Sequence, residues 1–281
     1  MSKALKYDEI GYWSEIKLEI LKKYASAYSK ILSSRRNPHF YHIYIDAFAG
    51  AGKHISKTTG EFVLGSPSNA LAVQPPFKEY HLIDLDAAKV EALCELTEGN
   101  DKVCIYSGDC NQILQSDIFP KVDYKNYRRA LCILDPYGLH LEWHVLEHAG
   151  TMKSIDIFLN FPVADMNRNV LWRQPERVPQ DQIDRMNIFW GDESWRDIAY
   201  VEPPQMSLFG GQDNEKVSND IIAEAFRNRL VNKGNFGYVP KPIAMRNTQN
   251  AIVYYLFFAT QKPVAAKIVT DIFKKYENKR G

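Results

Sequence analysis

From residue 79 to residue 160, short apolar runs alternate with segments of helical spacing, and this alternation constrains the fold more than any other feature. The runs lie at about 79–84 (EYHLID), 102–107 (KVCIYS), 130–135 (ALCILD) and 155–160 (IDIFLN). Ala87 to Glu98, Asn111 to Ile118 and Glu142 to Ala149 read as the helices between them, with Ser66 to Gln74 before the first run. Another strand is expected at 41–46. Strand–helix alternation with apolar strands predicts a parallel sheet covered on both faces. Ligands on such sheets bind beyond the carboxyl ends of the strands, where the strand order reverses.

Elements at both ends complete this picture. Ile16, Ile20, Leu21, Tyr24, Ala27, Tyr28, Ile31 and Leu32 recur at helical spacing, which predicts a helix over 14–34 capped by Ser14 and stopped before Pro38. Residues 163–234 are more polar, with helical stretches near 180–190 and 215–232 around the loop VEPPQMSLFGGQDN. They read as a helical insertion or lid within a single domain spanning residues 1–281. PIAMRN and AIVYYLFFAT, separated by a short break, predict an antiparallel hairpin, and a last helix runs from Pro263 to Lys275.

Composition excludes several classes. Met1 to Glu9 is polar with no apolar run behind it, and the longest apolar stretch, Ala251 to Ala259, is too short to span a bilayer. The expectation is a cytoplasmic protein with reduced thiols and no membrane contact. Cys94, Cys104, Cys110 and Cys132 form no Cys-x-x-Cys pair, and no metal site is expected; the bland reading makes them small buried side chains. His140, His144 and His148 share a helical face but read as exposed histidines. Net charge is +1, yet residues 14–40 and 262–281 each hold six Lys/Arg and two acids, while 81–123 holds nine acids and three lysines. Basic ends permit a local anionic partner such as nucleic acid, and solvated helix faces explain them equally simply.

The strand ends carry the chemistry. The first strand runs into IDAFAGAG, where Gly50 and Gly52 after Asp46 permit positive φ and close approach of a ligand. The Lys53–Leu64 segment then delays the helix, which Gly65-Ser66-Pro67 opens with Ser66 as cap. The second strand ends LIDLD: Asp84 is placed to accept ribose hydroxyls, while Asp86 reads as a helix cap. The third ends SGDC, where Asp109 can accept from an adenine amino group or simply make a turn. The fourth ends Asp135-Pro136-Tyr137-Gly138. There the Asp135 carboxylate and Pro136 carbonyl can accept from a substrate amino group, and Tyr137 can stack on a flat base. A nicotinamide dinucleotide would account for the first two features only, and the third glycine of its fingerprint is replaced by Ile55.

Read in order, IDAFAGAG, LIDLD, SGDC and LDPYG resemble the class I S-adenosylmethionine-dependent methyltransferases. KLEILKKYASAY, YIDAFAGAG, GSPSNAL, HLIDLD, LDPYGLHLEW, DIFLNFP and YYLFFAT, spread over most of residues 14–275, resemble more narrowly the three-Cys-motif partner proteins. Asp-Pro-Tyr-Gly is similar to the Asp-Pro-Pro-Tyr box of amino-group methyltransferases, from which it departs by one proline, and closer to the Asp-Pro-Phe-Gly form of tRNA guanine methyltransferases. No cysteine follows a proline in that loop, so a cysteine-nucleophile route to 5-methylcytosine gains no support.

The resemblance implies an α/β Rossmann-like class I methyltransferase sheet, mostly parallel, with a C-terminal antiparallel hairpin. It implies S-adenosyl-L-methionine held by Asp46, Phe48, Gly50, Gly52, Asp84, Asp109 and Cys110, with Asp135, Pro136 and Tyr137 orienting an acceptor. It also implies two partners, DNA or RNA and a protein carrying three cysteines. Lys17 reads as a surface lysine before one that reaches the cofactor carboxylate, Asn160-Phe161-Pro162 as a turn or a pocket wall, and Trp172 as a buried tryptophan before a surface that, with Arg173, stacks on a nucleotide.

Overall fold

Seven strands make the central sheet: β1 (Tyr41–Asp46), β2 (Glu79–Asp84), β3 (Val103–Ser107), β4 (Arg128–Leu134), β5 (Ile155–Phe161), β6 (Ile243–Arg246) and β7 (Ile252–Ala259). Their spatial order is 6-7-5-4-1-2-3. The pairs 1–2, 2–3, 1–4 and 4–5 are parallel, and β7 runs antiparallel to both β5 and β6. This is the expected Rossmann-like α/β sheet, mostly parallel, with the expected C-terminal hairpin. The chain builds outward from β1 to β3, then crosses back to β4, so the order reverses between β1 and β4. On such sheets ligands bind beyond the carboxyl ends of the strands at that reversal. The computed structural model describes residues 6–35, 41–201 and 215–277. Pro38 and most of the VEPPQMSLFGGQDN loop lie outside the described residues.

Helices cover both faces. They are α1 (Tyr12–Ser33), α2 (Ser66–Leu71), α3 (Ala87–Leu96), α4 (Cys110–Ile113, continued by a π turn), α5 (Trp143–Met152), α6 (Val163–Asn169), α7 (Gln180–Trp190), α8 (Trp195–Ala199), α9 (Asn219–Asn232) and α10 (Pro263–Lys274). Strand side chains alternate between two cores. Tyr44, Tyr80, Leu82, Leu131, Ile133, Phe158 and Phe258 pack with α1 and α10. Ile43, Ile45, Ile83, Cys132, Leu134, Leu159 and Phe161 pack with α5, α7 and α9 on the other face.

Several boundaries differ from expectation. The first helix starts at Tyr12 with Gly11 as its cap, so Ser14 lies inside it. Gly65 caps α2 and Ser66 is its first residue, which frees the Ser66 hydroxyl. The Lys53–Leu64 segment is a small hairpin, Lys53–Ser56 against Phe62–Leu64, with Glu9–Ile10 added alongside. Within residues 163–234, Phe189 of α7 and Phe226 of α9 stack at 5.6 Å and pack on Phe161 of β5. Two of the four cysteines, Cys94 and Cys104, are exposed rather than buried. Trp172 is also exposed, with its indole N–H donating to the Arg168 carbonyl. His140 and His144 are exposed as expected, and His148 is half-buried with Nδ1 3.2 Å from Gln115 Oε1. No helix among the described residues is long and apolar enough to cross a membrane.

Candidate active site

Alternation along the strands gathers the acids. Asp46 is the last residue of β1 and shares its face with Tyr44, and Asp84 ends β2 on the face of Tyr80 and Leu82. Asp135 lies just past β4 in step with Leu131 and Ile133. Asp46 pairs in register with Leu82 and with Ile133, so Asp84 and Asp135 lie two residues beyond it on either side. All three therefore stand at the carboxyl edge, on the face that α1 covers, flanking the reversal of strand order.

Each acid is held differently. Asp46 is fully buried. It accepts from Tyr44 Oη at 3.1 Å and from the Phe48 N–H at 3.3 Å. Burial pushes its carboxyl up to about 6, against the pull of hydrogen bonds from Ser66, Phe48 and Tyr44 and with a further push from Asp135. Asp84 is half-buried and ties the glycine loop to the second strand: Oδ2 accepts from the Gly50 N–H at 2.8 Å, and Oδ1 from the Asp86 N–H at 2.9 Å. Carboxylate oxygens have further lone pairs for a ligand hydroxyl. Asp86 caps α3 as expected, accepting from the Ala88 N–H at 2.9 Å. Asp135 Oδ2 accepts from the Lys17 ammonium at 2.5 Å.

Lys17 is the residue the sequence reading misplaced. It is a buried side chain on the sheet-facing stripe of α1, with its ammonium also 5.2 Å from the Tyr254 ring. Burial would lower its pKa, but Asp135, Tyr254 and Asp46 outweigh that and hold it above the ordinary lysine value. The signal was present: Lys17 stands three, four and seven residues before Ile20, Leu21 and Tyr24, a core-facing position occupied by a charge.

The glycine loop has the expected backbone. Gly50 and Gly52 take φ of +62° and +74°. A side chain added at Gly50 would meet no atom nearer than His54 Cε1 at 4.0 Å, so the loop leaves an open cradle above it. The Gly52 carbonyl accepts from the Gly65 N–H at 2.8 Å and the Ser68 hydroxyl at 2.6 Å, which locks the loop onto α2. His54, on the inserted hairpin, also sits against this loop; burial and the Lys17 charge lower its pKa.

At the third strand, Asp109 is exposed and Oδ1 accepts from the Asn111 N–H at 3.0 Å, which starts α4. Cys110 beside it is buried, and burial pushes its thiol up to about 12. Phe48 is half-buried against the core on the α5 face. Pro136 is buried, and its carbonyl already accepts from Asn160 Nδ2 at 3.0 Å. Asn160, which the sequence left as a turn or a pocket wall, is a buried residue of β5. Its own Oδ1 is a buried acceptor with no partner among the described residues. Tyr137 is 75% exposed, with its hydroxyl donating to Asp8 Oδ2 at 3.2 Å and the Lys89 ammonium 5.8 Å from its ring. Leu85, next to Asp84, is also largely exposed.

No family model and no curated relative matches the sequence. Among solved structures, the chain is similar to protein LPL1258 from Legionella pneumophila at 11% identity and a TM-score of 0.52, covering 94% of this chain and 91% of that one. It is similar to Trm1 from Pyrococcus horikoshii, whose structure holds S-adenosyl-L-methionine, at 11% identity and a TM-score of 0.43, covering 91% of this chain and 57% of that one. TrmN from Thermus thermophilus matches 52% of this chain and 41% of that one at 19% identity and a TM-score of 0.32.

Proposed function

We propose that this chain is an S-adenosylmethionine-dependent methyltransferase whose acceptor is an exocyclic amino group of a nucleic-acid base. One observation carries the reading: Asp46, Asp84 and Asp135 emerge from one face of the sheet around the reversal of strand order, beside an open glycine cradle. Asp46, Phe48, Gly50 and Gly52 would hold the amino-acid end of the methyl donor, Asp84 its ribose, and Asp109 with Cys110 its adenine. The donor, when bound, supplies an electrophilic methyl group. The chain's task is to place a nitrogen in line with it and keep that nitrogen's lone pair available. An exocyclic base amine is a poor base, so fixed acceptors matter more than a strong general base. Asp135 Oδ1 and the second lone pair of the Pro136 carbonyl are those acceptors, and Lys17 holds the carboxylate in place. The exposed Tyr137 ring is the surface on which a flipped base stacks.

Calorimetry with S-adenosylmethionine tests the cofactor half. Asp84→Ala is expected to lose most of the affinity, and unchanged affinity in that variant would sink the assignment. Transfer of labelled methyl from the donor into DNA or RNA, abolished in Asp135→Ala with donor binding intact, tests the acceptor half.

A second reading makes the chain a donor-binding but non-catalytic partner of a three-Cys-motif protein. It is favoured by the occupancy of the acceptors: Asp135 Oδ2 pairs with Lys17 and the Pro136 carbonyl with Asn160. Donor binding without transfer to any nucleic acid, alone or with such a protein, supports it; transfer lost in Asp135→Ala rules it out.

A further inference from the structure

The opposite face of the sheet carries a second group of chemically active side chains. Glu79 and His81 are two residues apart on β2, and Cys104 of β3 is the register partner of His81. Alternation puts them on the face turned away from Asp46 and Asp84. A Glu79 carboxylate oxygen, a His81 ring nitrogen and the Cys104 sulfur lie within 4.8 Å of one another.

His81 is fully buried. Its Nδ1 lies 2.9 Å from Tyr106 Oη. Its Nε2 lies 2.8 Å from Glu79 Oε1, within ion-pair reach of a protonated ring but off line for a hydrogen bond. That contact is poor in either state of the ring. Without a proton on Nε2, its lone pair faces a carboxylate. With one, the N–H misses the oxygen and the group is buried unsatisfied. A cation that both atoms ligate removes both faults.

We propose that Glu79, His81 and Cys104 bind a thiophilic divalent cation, with zinc the metal that fits. Carboxylate, imidazole and thiolate are all zinc ligands. The surroundings orient them. Tyr106 engages Nδ1 and leaves Nε2 to the metal, and Arg128 Nη2 holds the other Glu79 oxygen at 2.6 Å. Arg128 and Lys121 are the cations that face His81. The Glu79 carboxylate and the Cys104 thiolate offset them; metal binding releases the thiol proton to solvent. Cys104 is exposed, so water reaches the fourth position. The site joins β2 to the edge strand β3 and is independent of the methyl-donor crevice on the other face.

Titration of the whole chain with Cd2+ under reducing conditions tests this. The expected result is one equivalent that raises a thiolate-to-metal absorption band and is displaced by Zn2+. Cys104→Ser, whose position is exposed, and Glu79→Gln abolish or strongly weaken the band with far-ultraviolet circular dichroism unchanged. Cys94→Ser, at the other exposed thiol, retains it. Tyr106→Phe weakens Cd2+ binding about 10-fold. No band in the native chain, or a band that persists in Cys104→Ser, overturns the proposal.

Discussion

Lys17 shows how much one residue decides in this site. Its ammonium is buried and its partner Asp135 is partly open to solvent, with side-chain exposures of 10% and 29%. Removing one member of a fully buried pair costs about 3–5 kcal/mol, because the other charge is stranded. Access of water to Asp135 reduces this, so Lys17→Met is expected to lower stability by about 2 kcal/mol in urea unfolding. Donor binding should survive, while methyl transfer falls with the loss of Asp135 orientation. Unchanged transfer in a folded Lys17→Met protein would show that Asp135 needs no partner. The places of the acids were legible because each closes or follows an apolar strand run. Lys17 was not, because a lysine on an amphipathic helix is usually solvated and only its exact phase on the stripe marks it as buried. Asn160 was only half legible, since nothing in Asn-Phe-Pro says which way the amide turns.

At the scale of elements, the glycine loop and the polar middle of the chain make separate predictions. Gly52 has φ +74°, and an added Cβ would lie 2.5 Å from Leu96 Cδ2. Gly52→Ala therefore combines left-handed backbone strain with displacement of Leu96, and is expected to cost about 2 kcal/mol, read from the urea midpoint. A loss below a few tenths of a kcal/mol would mean the loop refolds freely. Phe226 of α9 has no exposed surface and touches Trp143, Phe161, Phe189, Trp190 and Phe257. Phe226→Ala is expected to cost about 4 kcal/mol. Helix and tryptophan signals should still unfold together, because this aromatic cluster joins α7 and α9 to β5 and β7. Two separated transitions in the native chain would contradict that coupling. The sequence made the strands visible through their apolar runs. It hid this cluster, because Phe189, Trp190 and Phe226 are scattered through a polar stretch and meet only in three dimensions. The caps were misread for a simpler reason: Ser14 and Ser66 are good cap residues, but Gly11 and Gly65 end the extended backbone one or more residues earlier.

At the scale of the whole molecule, a buried and a half-buried acid stand at opposite ends of the α1-covered face. Asp46 is at the carboxyl end of β1, and Asp156 is the second residue of β5, at the opposite end of the sheet. Asp156 accepts from Tyr24 Oη at 2.9 Å and from Thr260 Oγ1 at 2.5 Å. Burial nevertheless pushes it from 3.8 up to about 6, as it does Asp46. A raised carboxyl binds its proton more tightly in the folded chain than in the unfolded one. Its contribution is therefore fully present below pH 3.8 and is lost as pH rises through 6. A shift of this size corresponds to about 3 kcal/mol. His42 works in the opposite direction: burial lowers it from 6.5 to about 4, so its contribution is lost as pH falls through that range. The two effects overlap, and the total stability curve alone does not separate them. Asp156→Asn does, because its amide accepts from one of the two hydroxyls and donates to the other while removing the titration. Relative to the native chain, the variant is expected to gain about 2.5 kcal/mol between pH 4 and pH 7, measured as the difference in urea unfolding free energy. Asp46 and His42 are common to both proteins and cancel in that difference. A difference that stays flat with pH would place the Asp156 carboxyl at its ordinary value and show that its two hydroxyl donors fully offset its burial.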